Sequence, residues 1–71
     1  MGMDEKARLD AFEKMLHAIR ENYQNTDQKM KRLKEAGKEK TATYRQLMGN
    51  KMQYQNMLSL YQIYGLTDEG E

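Results

Sequence analysis

Apolar side chains recur along the first half of the chain at alternating steps of three and four positions. The stripe has one polar member, Thr26, and consists of Leu9, Phe12, Leu16, Ile19, Tyr23, Thr26, Met30 and Leu33. Steps of three and four place side chains on one face of an α-helix, because the helix turns once every 3.6 residues. The pattern therefore predicts one long amphipathic helix over about residues 4–36.

A second stripe with the same alternating steps predicts a second helix over about residues 42–64. It consists of Tyr44, Leu47, Lys51, Tyr54, Leu58 and Tyr61. A short connection at about residues 37–41 joins the two helices. Because long helices joined by few residues pack side by side in opposite directions, we expect an all-α fold: an antiparallel two-helix hairpin that forms the single domain of the chain, residues 1–71.

A few residues mark where the helices begin and end. Gly37 and Gly65 suit the left-handed conformation that often follows the last turn of a helix, and Leu66 can add the apolar contact of a Schellman motif. Thr41 or Thr43 can cap the start of the second helix. The acidic tail, residues 66–71, is expected to fray.

The weakest part of the first helix is the run at 22–27, because Asn, Thr and Asp are mediocre helix formers and can cap a new helix. A break near Asn25 would give a three-helix bundle with a self-sufficient monomer core. We favour one continuous helix, because the heptad phase does not slip across this run. In the second helix, Gly49 either allows a close helix approach or is tolerated at about 1 kcal/mol relative to Ala.

The second helix carries more apolar surface than a hairpin can cover. Residues 52–67 include no charged side chain, and nine of these 16 positions are Met, Leu, Ile or Tyr. Helical spacing spreads them around the helix, so that Met52, Leu60 and Ile63 point away from the stripe. A large exposed apolar surface usually marks an interaction site.

We therefore expect a homodimer, in which two hairpins form an antiparallel four-helix bundle. Another helical protein is a second possible partner for the same surface. The residues assigned to this interface are Met48, Met52, Tyr54, Met57, Leu58, Leu60, Tyr61, Ile63 and Tyr64.

Composition supports the need for a partner. The chain has 71 residues and no Cys, and chains this short bury only about 60% of their unfolded surface. Disulfides, a metal or oligomerisation usually supplement so small a core, and without Cys neither disulfides nor thiolate metal sites can form. No run approaches the about 20 apolar residues of a membrane span, and the first ten residues lack a signal-peptide core. We expect a cytoplasmic protein that does not bind membranes.

Catalytic chemistry has little support in the sequence. His17, the single histidine, shares a helix face with Asp10, Glu13 and Glu21. Carboxylate metal sites in bundles need a Glu three positions before a His, and this sequence has no such pair. We therefore interpret this face as solvent-exposed, with ion pairs between residues four positions apart. Ser59 is the only serine and has no base nearby in sequence. We expect no enzyme activity, no cofactor, no metal and no small-molecule substrate.

Basic residues concentrate around the predicted loop. Residues 27–51 carry eight Lys or Arg and three acids, net +5, against −1 for residues 1–26 and −3 for residues 52–71. Such an end can contact phosphates, although a solvated hairpin tip gives the same pattern and no known nucleic-acid motif is present. The candidate contacts are Lys31, Arg32, Lys34, Lys38, Lys40 and Arg45.

Two hypotheses of function follow. The first is a small non-catalytic interaction module, acting as a regulator, adaptor or assembly factor and self-associating through the second helix. The alternative is a nucleic-acid-binding hairpin that uses the basic loop end, residues 29–51. Salt distinguishes them, because phosphate contacts weaken steeply with salt and apolar packing does not.

Overall fold

A computed structural model of the protein describes residues 4–67, and these form two helices and their connections. Helix α1 spans Glu5–Glu35, and helix α2 spans Ala42–Ile63. The two helices pack against each other. The predicted all-helical hairpin is confirmed. Of the predicted acidic tail, only Leu66 and Thr67 lie within the described residues.

Helix α1 is a single helix with a cap at each end. The Asp4 side chain accepts a hydrogen bond from the backbone N–H of Ala7 at 2.7 Å, which satisfies one of the free donors of the first turn. At the other end Gly37 has φ 73°, and the N–H of Lys38 donates to the carbonyl of Leu33 at 2.8 Å, the Schellman arrangement. The helix runs unbroken through the 22–27 run, so the continuous helix is confirmed and the break near Asn25 does not occur.

Helix α2 begins at the first of its two candidate caps. The hydroxyl of Thr41 accepts from the N–H of Tyr44 at 3.2 Å and donates to the carbonyl of Lys38 at 2.8 Å. At the C-terminus Gly65 has φ 74°, and the N–H of Leu66 donates to the carbonyl of Tyr61 at 2.8 Å. The Schellman motif expected here is thus present. A Cβ at Gly49 would meet no atom within 4 Å, so this glycine serves no close approach within the described hairpin.

The hairpin buries a narrow seam where its two stripes meet. Leu16, Ile19 and Tyr61 are buried together, and Phe12, Tyr54 and Leu58 pack partly buried against them. The Phe12 ring meets the Tyr61 ring edge-on, with centroids 5.0 Å apart and an interplanar angle of 70°. Such aromatic pairs add about 0.5–1.5 kcal/mol beyond the area they bury. Thr26 and Met30 continue the buried stripe towards the loop.

Helix α1, with 31 residues, is longer than α2, with 22. At 1.5 Å per residue, its first turns extend about 14 Å beyond the end of α2. Leu9 lies in this extension and is exposed. The first member of the α1 stripe therefore has no α2 residue to pack against.

A polar contact on one side of the seam fixes how the helices are aligned. The Lys51 ammonium donates to the Asp27 carboxylate at 2.7 Å, and Lys31 approaches the same carboxylate at 3.2 Å. Lys51 also lies 5.6 Å from the centre of the Tyr23 ring. The Tyr23 hydroxyl in turn accepts a hydrogen bond from Gln55 at 3.1 Å. These pairs join later positions of α2 to earlier positions of α1, so the helices run antiparallel.

The same contact changes the titration of both partners. The hydrogen bond from Lys51, with a second from Lys31, lowers the pKa of Asp27 below its ordinary 3.8. The hydrogen bond to Asp27 raises the pKa of Lys51 above its ordinary 10.5. The Asp27 contribution to stability is therefore present above pH 3.8 and is lost as the pH falls through its lower folded pKa. The Lys51 contribution is present below pH 10.5 and is lost as the pH rises through its higher folded pKa.

The structure of the core predicts that Ala substitutions at the two isoleucines will differ greatly in their effect on stability. Ile19 is 7% exposed and Ile63 is 73% exposed. We expect Ile19→Ala to lower the free energy of unfolding by about 2–4 kcal/mol, because it leaves a cavity in the seam. Ile63→Ala should change it by less than about 0.5 kcal/mol. Urea unfolding followed by circular dichroism measures the free energy of unfolding of both variants. Equal losses would show that Ile19 does not lie in a buried seam.

The ion pair predicts a specific change in acid stability. Asp27→Asn should lower the melting temperature at neutral pH and flatten its decline below pH 4, because the charged partner of Lys51 is removed. Asp10→Asn makes the same charge change at an exposed position of α1 and serves as the control. Melting curves between pH 2 and 7 provide the test. An unchanged acid decline in Asp27→Asn would show that other carboxylates govern it.

Candidate interaction groove

An apolar groove of about 620 Å³ runs along one face of the hairpin between α1 and α2. We call this feature the groove. None of its lining side chains, all within residues 4–67, carries a charge; they are Met15, Ile19, Asn22, Tyr54, Met57, Leu60, Tyr61, Tyr64 and Leu66. A water-exposed surface this free of charge suits contact with another apolar surface.

Helical spacing explains why the groove lies on one face only. Met15 and Asn22 are seven positions apart on α1, and a step of seven returns to nearly the same side of a helix. Met57 of α2 and Tyr64, the C-cap residue of that helix, are also seven positions apart. Each pair lies just beside the buried stripe of its helix. In an antiparallel pair these two flanks face the same way, so the two rows form the opposite walls of the groove.

The opposite face of the hairpin is polar. There a shallow hollow is lined by Arg20, Tyr23, Gln24, Asp27 and Leu58. Arg20 and Asp27, again seven positions apart, lie on the other flank of the α1 stripe. The Asp27–Lys51 pair belongs to this side. The hairpin therefore has one apolar face and one polar face.

The nine residues predicted for self-association fall into three groups. Those that pack against α1 within the hairpin are Tyr54, Leu58 and Tyr61. Those that are exposed along the groove are Met57, Leu60 and Tyr64. Those that are exposed outside the groove are Met48, Met52 and Ile63. Tyr61 is 7% exposed, because the hairpin's own core already takes up its ring.

Helix α1 also contributes to this surface, which was predicted from α2 alone. Met15, Ile19 and Asn22 of α1 line the groove, as does Leu66, which follows α2. The signal was present: Met15 directly precedes the stripe residue Leu16, and an exposed methionine beside a buried stripe widens the apolar face of its helix.

The predicted basic residues are all exposed around the loop end. Lys31 and Lys34 are three positions apart on α1 and share one face of the helix, whereas Arg32 lies on another side. Lys31 is also engaged with Asp27. Of these three basic side chains on α1, two therefore share a face, and one of these two is already paired with a carboxylate of the hairpin.

The acidic face with His17 shows one ion-pair contact. His17 Nε2 lies 3.7 Å from Glu21 Oε2, and both side chains are largely exposed. Within residues 4–67, no group of three or more His, Asp or Glu side chains could hold a metal ion. In the same range, neither helix combines the length and the apolar character needed to cross a membrane.

Comparison of the chain with protein-family models, with curated proteins and with solved structures gives no match.

The buried hydroxyl of Tyr61 generates a prediction. Within residues 4–67 this hydroxyl has no hydrogen-bond partner, and a buried unsatisfied polar group costs about 1–3 kcal/mol. We expect Tyr61→Phe to raise the free energy of unfolding by about 1 kcal/mol. Tyr23→Phe, which loses the hydrogen bond from Gln55, should lower it slightly. Urea unfolding measures the free energy of unfolding of both variants. A loss of stability in Tyr61→Phe would mean that a second molecule supplies a hydrogen-bond partner for the Tyr61 hydroxyl.

Proposed function

We propose that this protein is a non-catalytic helical interaction module that self-associates through the groove. Two hairpins stack groove to groove and form the two layers of a four-helix bundle. The charged outer sides of the helices stay available to a further macromolecule, as expected of a regulator, adaptor or assembly factor. The uncharged lining of the groove is the observation that carries this proposal.

The shape of the hairpin supports a second layer. Its dimensions are 49 × 28 × 14 Å, and the smallest of these is close to the diameter of one helix, about 10–12 Å. Stable domains are built from at least two packed layers around a core. The radius of gyration is 15.4 Å, against about 11 Å for a compact domain of this length. One hairpin supplies a single layer, and a second copy supplies the other.

The exposed area leads to the same conclusion. The chain exposes 5883 Å², whereas a folded monomer of its mass, 8.4 kDa, exposes roughly 4,600 Å². The difference is roughly 1,300 Å². A standard protein interface buries about 800 Å² on each partner. The excess is therefore large enough for a stable dimer.

The basic loop end supports the nucleic-acid alternative less well. Binding to a phosphate backbone favours several free cations that share one face. Of the candidate contacts on α1 only Lys31 and Lys34 share a face, and Lys31 is already paired with Asp27. The apolar groove, in contrast, is lined by residues of both helices and lies on one face of the hairpin. We therefore place the interaction function in the groove.

Two methionines of equal exposure test the proposal. Met57 lines the groove and is 42% exposed, while Met48 lies outside it and is 43% exposed. We expect Met57→Lys to weaken the dimer by about 100-fold or more, because it places an unpaired charge in an apolar interface. Met48→Lys should leave the dimer intact. Light scattering on a sizing column gives the mass of each variant at two protein concentrations.

The unmodified chain should have twice the mass of one chain, in low and in high salt. Circular dichroism of both variants verifies that their helices remain. A monomeric unmodified chain would refute self-association. Dissociation by Met48→Lys but not by Met57→Lys would move the interface to the outer side of α2.

A further inference from the structure

We propose that the two copies pack antiparallel, with the basic loop end of each hairpin over the acidic start of α1 in the other. This inference rests on the dimer proposed above and specifies its arrangement. It also gives the basic residues around the loop a role within the assembly.

The position of the groove permits this arrangement. Its α1 wall, Met15, Ile19 and Asn22, lies at the middle of the helix Glu5–Glu35. In a two-fold symmetric dimer the same patch of each copy contacts itself, so the axis passes through that patch. An axis at the middle of α1 lets two antiparallel hairpins overlap along their whole length. A groove at one end would leave the opposite ends of both hairpins uncovered.

The charge distribution selects the antiparallel arrangement over the parallel one. Residues 27–51 carry net +5. Residues 4–13 contain four acidic and two basic side chains, net −2. A parallel dimer would place the +5 segments of both copies side by side, whereas an antiparallel dimer places each +5 segment near a −2 segment. Complementary charges at an interface set its orientation by disfavouring the alternative.

One distance distinguishes the two arrangements. The chain has no Cys, so Glu35→Cys provides a single attachment point for a spin label. Residue 35 lies 16 positions from Ile19, or about 24 Å along the helix. In the antiparallel dimer the two labels should therefore be about 48 Å apart. In a parallel dimer they would lie within about 20 Å, because packed helices are only 8–10 Å apart.

Pulsed electron paramagnetic resonance measures this distance, with His17→Cys as the matched control. Residue 17 is exposed and close to the level of the axis, so its labels should be separated only by the width of the bundle, under about 30 Å in either arrangement. A long distance at residue 35 with a short one at residue 17 supports the proposal. Short distances at both positions would overturn the antiparallel arrangement and leave the dimer standing. A monomer by light scattering would overturn both.

Charge reversal tests the cause of the orientation. One variant carries Lys29→Glu and Lys38→Glu, and the other carries Glu5→Lys and Asp10→Lys. Lys29 lies seven positions beyond Asn22, on the groove flank of α1, and is exposed. Each variant alone should dimerise about tenfold more weakly at low salt, since a few exposed pairs of about 0.2–1 kcal/mol become repulsive. An equimolar mixture should dimerise more tightly than either variant alone, because the unaltered loop segment, net +5, then lies near the unaltered acidic start, net −2. Two variants that dimerise as well as the unmodified chain would refute the electrostatic argument.

Discussion

Two helices in a single layer can bury only the side chains at which they face each other, and this limit governs the whole hairpin. Within residues 4–67 the buried apolar side chains are Leu16, Ile19, Met30 and Tyr61, and none is less than 2% exposed. This narrow seam must offset the entropy lost by ordering two helices of 31 and 22 residues. Apolar side chains on the groove face, among them Met15, Met57 and Leu60, are therefore left exposed.

Features that depend on local geometry could be predicted from the sequence. The α1 stripe follows from the helical period alone, so the periodicity identified its buried members. Gly37 and Gly65 marked helix ends because few other residues adopt a positive φ without strain. Of the two candidate caps, Thr41 caps α2, and its hydroxyl also donates to the carbonyl of Lys38, three positions earlier in the connection.

Features that depend on both helices together could not be predicted in the same way. Lys51 occupies a stripe position, and only the pairing of α1 with α2 shows that Asp27 lies opposite it. The groove needs one flank of each helix, with Met15 on one wall and Met57 on the other. Considered alone, α2 has apolar residues on most sides. Its periodicity does not indicate which of these sides will be continued by apolar residues of α1. The alignment of the helices decides this.

The short connection between the helices has a consequence for the order in which the hairpin forms. Closing a chain segment becomes more costly as it lengthens, so contacts near the loop form most readily. The Asp27–Lys51 bond spans 24 residues, the Tyr23–Gln55 bond spans 32, and the Phe12–Tyr61 contact lies farther still from the loop. Folding should therefore progress from the loop, with the end of the seam at Phe12 and Tyr61, which borders the groove, closing last and opening first. A partner that occupies the groove would then hold shut the least stable part of the hairpin, so that association and completion of folding become one event.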